Sequence, residues 1–207
     1  MTKGLFITFE GPDGGGKPAQ IERLAKWFED RGKEVVKTRE PGGTKASEKI
    51  RAVVLDPELP IGAETETLLY LAARREHVDK IIAPALEAGK IVLCDRFSDS
   101  TFVYQGFTRG LDLETLRSLN DFATNGIKPD LTILLDGPIE LLEARRQDRG
   151  VEDRFELEGL EFQAKVRDGF LTLAHEEPDR IKVVYALQDL DSVTKAVIEQ
   201  VENIINK

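Results

Sequence analysis

Leu5-Phe6-Ile7-Thr8-Phe9-Glu10 runs directly into Gly11-Pro12-Asp13-Gly14-Gly15-Gly16-Lys17-Pro18-Ala19, and from there into a segment of helical period. An apolar run, a glycine loop and a helix in that order make a phosphate-binding loop. Glycines let successive backbone N–H groups face an anion, and the helix start adds partial positive charge. On this reading Gly11, Pro12, Asp13, Gly14, Gly15, Gly16, Lys17, Pro18 and Ala19 form the cradle, and the Lys17 ammonium reaches the β- and γ-phosphates of a nucleotide. One position departs from the pattern. The motif places Ser or Thr after the lysine, where its hydroxyl ligates Mg²⁺, and this chain has Pro18 and then Ala19. Proline is accepted in the first turn of a helix, so the fold survives. It supplies neither hydroxyl nor N–H, a loss of ~1.5–3 kcal/mol in binding or transition-state stabilisation.

Working outward, further short apolar runs occur at Glu34 to Arg39, Lys90 to Cys94, Leu131 to Leu135 and Ile181 to Ala186. Those at 91–94, 131–135 and 181–184 are nearly continuous in apolar character, as parallel strands covered on both faces require. Helical periods fill the gaps. Ile21, Leu24, Ala25 and Phe28 precede Gly32, and a long segment from about Glu64 to Glu87 is expected to kink or end at Pro84. Alternating strand and helix predicts an α/β domain with a mostly parallel sheet.

The chain has 207 residues, with 29 Lys and Arg against 38 Asp and Glu, for a net charge of −9. That length predicts one domain over residues 1–207. The acidic balance argues against a nucleic-acid partner, and no run approaches the ~20 apolar residues of a membrane span. A single cysteine, Cys94, excludes an intrachain disulfide and agrees with a reducing cytoplasm.

Beyond the loop, four blocks stand out: Thr38-Arg39-Glu40-Pro41-Gly42-Gly43-Thr44, Ala73-Arg74-Arg75-Glu76-His77, Asp95-Arg96-Phe97-Ser98-Asp99-Ser100 and Tyr104-Gln105-Gly106. With the loop, they make the sequence resemble the thymidylate kinases, P-loop nucleoside monophosphate kinases that phosphorylate dTMP with ATP. The resemblance implies the P-loop NTPase three-layer α/β/α sandwich, with a central five-stranded parallel sheet and a short lid at about 145–159. It implies ATP as phosphoryl donor, Mg²⁺ as cofactor, dTMP as acceptor and a homodimer.

The family's roles carry over residue by residue. Arg39 is expected to grip the acceptor phosphate, as suits a planar fork of N–H donors. Asp95 would hold Mg²⁺ through water and Arg96 would bridge the donor and acceptor phosphates, both at a strand's carboxyl end, where α/β sheets place ligands. Tyr70 would stack on the base, with Arg74, one helical turn on, hydrogen-bonded to it. Tyr104 would lie under the deoxyribose, Ser100, Thr101 and Gln105 complete the acceptor site, and Asp13 would contact the 3′-hydroxyl. Because the loop carries no cation before Lys17, basic lid residues are expected to supply charge at the reacting phosphates, with Arg149 and Arg154 as the closing residues. The alternative is a nucleotide-binding homologue of these kinases with chemistry weakened or lost through Pro18-Ala19.

Overall fold

The computed structural model describes residues 4–147, 154–155 and 158–205. Strands β1 (Leu5–Glu10), β2 (Val35–Arg39), β3 (Ile91–Asp95), β4 (Leu131–Asp136) and β5 (Ile181–Tyr185) pair in parallel in the order β2-β3-β1-β4-β5. The register sets Phe9 beside Asp95 and Arg39 beside Asp95, so β1, β2 and β3 end level with one another. Their carboxyl ends open on one cleft.

Helices cover both faces. On one, Ile7, Phe9, Leu93, Ile133 and Leu135 pack against Leu24 and Phe28 of α1 (Lys17–Glu29) and Val193, Val197 and Val201 of α9 (Leu190–Ile205). On the other, Phe6, Val92 and Cys94 meet Val78, Ile82 and Leu86, while Leu134 and Ile181 meet Val166, Phe170 and Leu173 of α8 (Gly159–Glu176). Side chains that alternate along β1 thus serve opposite cores, which gives the three layers expected from the sequence. Each fully buried Leu, Ile or Phe contributes roughly 1.5–3 kcal/mol.

The remaining helices are α2 (Lys45–Leu55), α3 (Ala63–His77), α4 (Ala83–Glu87), α5 (Ser98–Thr101), α6 (Leu113–Thr124) and α7 (Ile139–Gln147). Thr44 caps α2 by accepting from the Ser47 N–H at 3.1 Å, and Asp112 caps α6 by accepting from that of Thr115 at 2.7 Å. The predicted break near Pro84 takes a different form. After His77 the helix widens into a π-turn, Val78–Ile82, in which the Ala83 N–H reaches the Val78 carbonyl. Pro84 falls in the first turn of α4, so its missing N–H removes no needed bond. A second π-turn, Phe102–Thr108, follows α5 and carries Tyr104 and Gln105. Among the described residues no helix is long and apolar enough to cross a membrane. Most of the expected lid, 148–153 and 156–157, lies outside the described residues, as does Arg149.

Candidate active site

The loop after β1 takes the shape its glycines permit. Gly11, Gly14 and Gly16 have φ of 123°, 84° and 81°, values that β-carbon-bearing residues rarely adopt. A Cβ on Gly11 would lie 2.3 Å from the Leu135 carbonyl oxygen, and one on Gly14 would lie 2.0 Å from that of Leu142, so the loop is pressed against β4 and α7. Lys17 opens α1 and is 4 % exposed. Its ammonium donates to the carbonyls of Gly11 at 3.0 Å and Pro12 at 3.1 Å and pairs with Asp13 at 3.5 Å. Desolvation and the neighbouring Arg96 lower its pKa. Pro18 sits in the first turn of α1, where the sequence placed it without harm to the helix, and it faces the cleft beside Lys17.

Arg96 follows β3 with φ of 67°, a left-handed backbone rare outside glycine. Such strain, of order 1–3 kcal/mol, persists where the surroundings hold it. Here the Arg96 N–H donates to the Phe9 carbonyl at 2.9 Å, and the guanidinium reaches Asp13 at 2.9 Å, Ser100 Oγ at 3.3 Å and Glu10 at 3.9 Å. Glu10 is the buried organiser. It accepts from the Phe97 N–H at 2.7 Å, the Ser100 N–H at 3.3 Å and Ser100 Oγ at 2.6 Å. Burial, and after it the charge on Asp99, push its pKa up to about 7. Asp13 shifts the other way: desolvation opposes its charge, but Arg96 and Lys17 hold its carboxyl well below the usual range.

A cavity of about 290 Å³ lies between the loop and α3. Asp13, Lys17, Pro18, Arg39, Tyr70, Arg74, Asp95, Arg96, Ser100, Thr101, Tyr104 and Gln105 line it, so most of the residues expected at the site come together. Arg74 is 2 % exposed and almost wholly engaged. Its Nε donates to Glu40 at 2.6 Å, Nη1 to Thr101 Oγ1 at 2.8 Å and Asn120 Oδ1 at 2.5 Å, and Nη2 to the Phe97 carbonyl at 3.0 Å. Among the described residues, these bonds leave one Nη2 N–H without a partner. Glu40 in turn bonds the buried His77 at 3.0 Å, whose other ring nitrogen meets Thr38 Oγ1 at 2.6 Å. Burial opposes the charge on Glu40, yet Arg74 and His77 hold its pKa below the ordinary value.

Two expectations meet differences. Arg39 lies at the end of β2 and lines the cavity, but pairs with Glu48 at 3.0 Å. Arg154, expected at the reacting phosphates, is not among the lining residues. It donates to the carbonyl of Val54 at 3.1 Å and ion-pairs with Glu66, because a buried carboxylate on α3 attracts it more strongly than open solvent does. Asp136, at the end of β4, makes a two-pronged pair with Arg167 at 2.7 and 2.9 Å.

Sequence reasoning missed Glu10, Glu40, Arg51, Leu55, Glu66, Phe97, Asn120 and Phe155 as parts of the site. Arg51 and Leu55 line the cavity from α2, and Phe155 packs edge-on to Tyr104 with ring centroids 5.4 Å apart. Glu10 and Glu40 stood inside recognisable blocks. Nothing local marked Asn120, which reaches Arg74 across 46 residues.

Asp95 supplies the observation that bears on a metal. Among the described residues, its Oδ1 is buried with no hydrogen-bond partner, at the strand end facing Lys17 and Arg96. Such an orphaned acceptor is stable when a cation or its water satisfies it. The donor set fits Mg²⁺.

A glycine loop at the end of β1, with arginines at the ends of β2 and β3 facing it across one cleft, defines a P-loop nucleotide-binding enzyme. The comparisons narrow the class. The thymidylate kinase family model matches residues 9–197, so the chain belongs to the thymidylate kinase family. It is 48 % identical to the thymidylate kinase of Geotalea uraniireducens, with 94 % of each chain covered. It is 46 % identical to that of Exiguobacterium sibiricum, over 99 % of this chain and 97 % of the relative. The crystal structure of thymidylate kinase from Ehrlichia chaffeensis superposes with a TM-score of 0.79 at 36 % identity, covering 96 % of this chain and 99 % of that one.

Proposed function

We propose that the protein phosphorylates dTMP with ATP, giving dTDP and ADP, within one domain. The observation that carries this reading is the single cavity wall on which Lys17, Arg96 and Asp95 adjoin Arg74, Tyr70, Tyr104 and Gln105. Phosphate chemistry and a planar polar ring are served side by side. An acceptor phosphate oxygen attacks the γ-phosphorus in line; the new O–P bond forms as the bond to the β-phosphate oxygen breaks. The acceptor is already an anion, so no protein nucleophile is needed. Lys17, now on the Gly11 and Pro12 carbonyls, turns to the β- and γ-phosphates, and Arg96 spans both phosphate groups. Arg39 exchanges Glu48 for the acceptor phosphate. Arg149 and Arg154 supply further positive charge from the lid, Arg154 leaving its pair with Glu66 to do so. Asp95 would hold Mg²⁺, which neutralises charge on the phosphates when bound.

Tyr70 and Tyr104 offer faces to the base and sugar, and Asp13 is placed to accept from the 3′-hydroxyl. Leu68 on α3 and Phe122 on α6 are 58 % and 78 % exposed, uncovered apolar side chains on two contacting helices, and this supports a homodimer that would cover them. An ATP requirement and the lone buried thiol of Cys94 fit the cytoplasm. The alternative of lost chemistry draws support only from Pro18-Ala19; no relative favours it. A coupled assay of ADP release with ATP, Mg²⁺ and a panel of monophosphates decides between them. Turnover of dTMP above all others is expected, and binding of dTMP without turnover would overturn the kinase reading.

A further inference from the structure

Glu66 lies on α3, one turn before Tyr70 and two before Arg74, and is 1 % exposed. Its two oxygens have different partners. Oε1 accepts from Gln105 Nε2 at 2.8 Å. Oε2 is clasped by Arg154 Nη2, with Arg109 at 3.9 Å. A carboxylate gripped by guanidinium groups accepts and does not donate. The Gln105 amide must therefore present its nitrogen to Glu66 and its carbonyl oxygen the other way. Gln105 lines the cavity, and among the described residues its Oε1 accepts no bond.

We propose that Glu66 is a positioning residue that selects the acceptor base by fixing the orientation of the Gln105 amide. This rests on the dTMP reading above. With Gln105 so held, the lining of the cavity includes Gln105 Oε1 as an acceptor and, among the described residues, the remaining N–H of Arg74 as a donor. That pair complements the N3–H and O4 edge of a pyrimidine-2,4-dione. Cytosine presents the reverse pattern, an acceptor at N3 and donors at N4, and meets like against like.

The substitution Glu66→Gln reads the idea directly. The Arg154 guanidinium, a donor only, claims the new amide oxygen, so the new NH₂ faces Gln105. The Gln105 amide then turns to accept from it and shows its own NH₂ to the cavity. Calorimetric binding and kcat/KM for dTMP and dCMP are measured on the full chain, for the parent, Glu66→Gln and Glu66→Asp, with thermal melts of each. The expected result is a fall of about tenfold or more in the dTMP-to-dCMP ratio for Glu66→Gln, with the ratio retained in Glu66→Asp, which keeps the carboxylate. Equal losses on both nucleotides in Glu66→Gln would make Glu66 a brace for Arg154 and overturn the proposal. If Glu66→Gln does not fold, a collapsed ratio in Glu66→Asp overturns it and a retained ratio supports it. A parent that binds neither nucleotide would overturn the function itself. A parent that prefers dTMP, with the preference intact in Glu66→Gln, would overturn only the role of Glu66.

Discussion

The two halves of the cleft are built in opposite ways. On the base side, Arg74 is buried and cross-linked to Glu40, Thr101, Asn120 and the Phe97 carbonyl, so the wall is set before any ligand arrives. On the phosphate side, Lys17 bonds carbonyls of its own loop, Arg39 pairs with a partly exposed glutamate, and among the described residues an Asp95 oxygen has no partner. The first half is held by side chains from α3, α5, α6 and the turn after β2; the second is a backbone cradle whose charges, on the proposed function, exchange partners when phosphates bind. Shape is preorganised where a planar ring must be recognised, and charge is kept movable where an anion must enter and leave.

The largest expected effect breaks the first half. Arg74→Ala strands Glu40 as a buried carboxylate whose remaining side-chain partner among the described residues is His77, and stability should fall by ~3–5 kcal/mol in urea melts. A loss below about 1 kcal/mol would mean that the base side is not cross-braced as described. On the other half, Lys17→Met removes a cation from the transferring group. Turnover should drop ~10²–10³-fold while the melting midpoint stays near that of the parent. A matching collapse in stability would make the two halves alike after all.

How much of this the sequence carried follows the same division. Phosphate loop, strand ends and helix starts are local features, so Lys17, Asp95 and Arg96 were legible from a dozen residues around each. The sheet was legible because strands covered on both faces are nearly continuous in apolar character, as residues 91–94 and 131–135 are, Thr132 excepted. The bracing was not. Glu40 meets Arg74 across 34 residues and Gln105 meets Glu66 across 39, contacts that only the packed helices create. Arg154 shows the same limit: a basic lid predicts charge near the phosphates, and nothing local marks the buried carboxylate of Glu66 with which it pairs. The helix widening before Pro84 had a signal, the proline, that does not distinguish a kink from a π-turn.

Pro18 sharpens the phosphate half. Since it sits in the first turn of α1 and costs no helix bond, Pro18→Thr should leave the fold alone while restoring a hydroxyl and an N–H at the cleft. Turnover of dTMP should rise by about tenfold, the lower end of what a charge-assisted bond contributes. An unchanged rate would show that Asp95 and the loop backbone already satisfy the phosphates and their metal.

The smallest effect concerns Asp13, the carboxylate between Lys17 and Arg96. Its folded pKa is depressed below the ordinary 3.8. A depressed carboxyl adds stability that is present above the unfolded value and disappears as pH falls through the folded one. Asp13→Asn should therefore be less stable than the parent by about 1 kcal/mol at pH 7. The gap should persist down to about pH 4 and narrow only below 3.8. Urea melts of both chains from pH 7 to pH 3 test this. A gap that closed between pH 7 and 5 would point instead to Glu10, the buried carboxyl of this half whose pKa lies near 7, and would make Glu10 the group that sets the charge balance around Arg96.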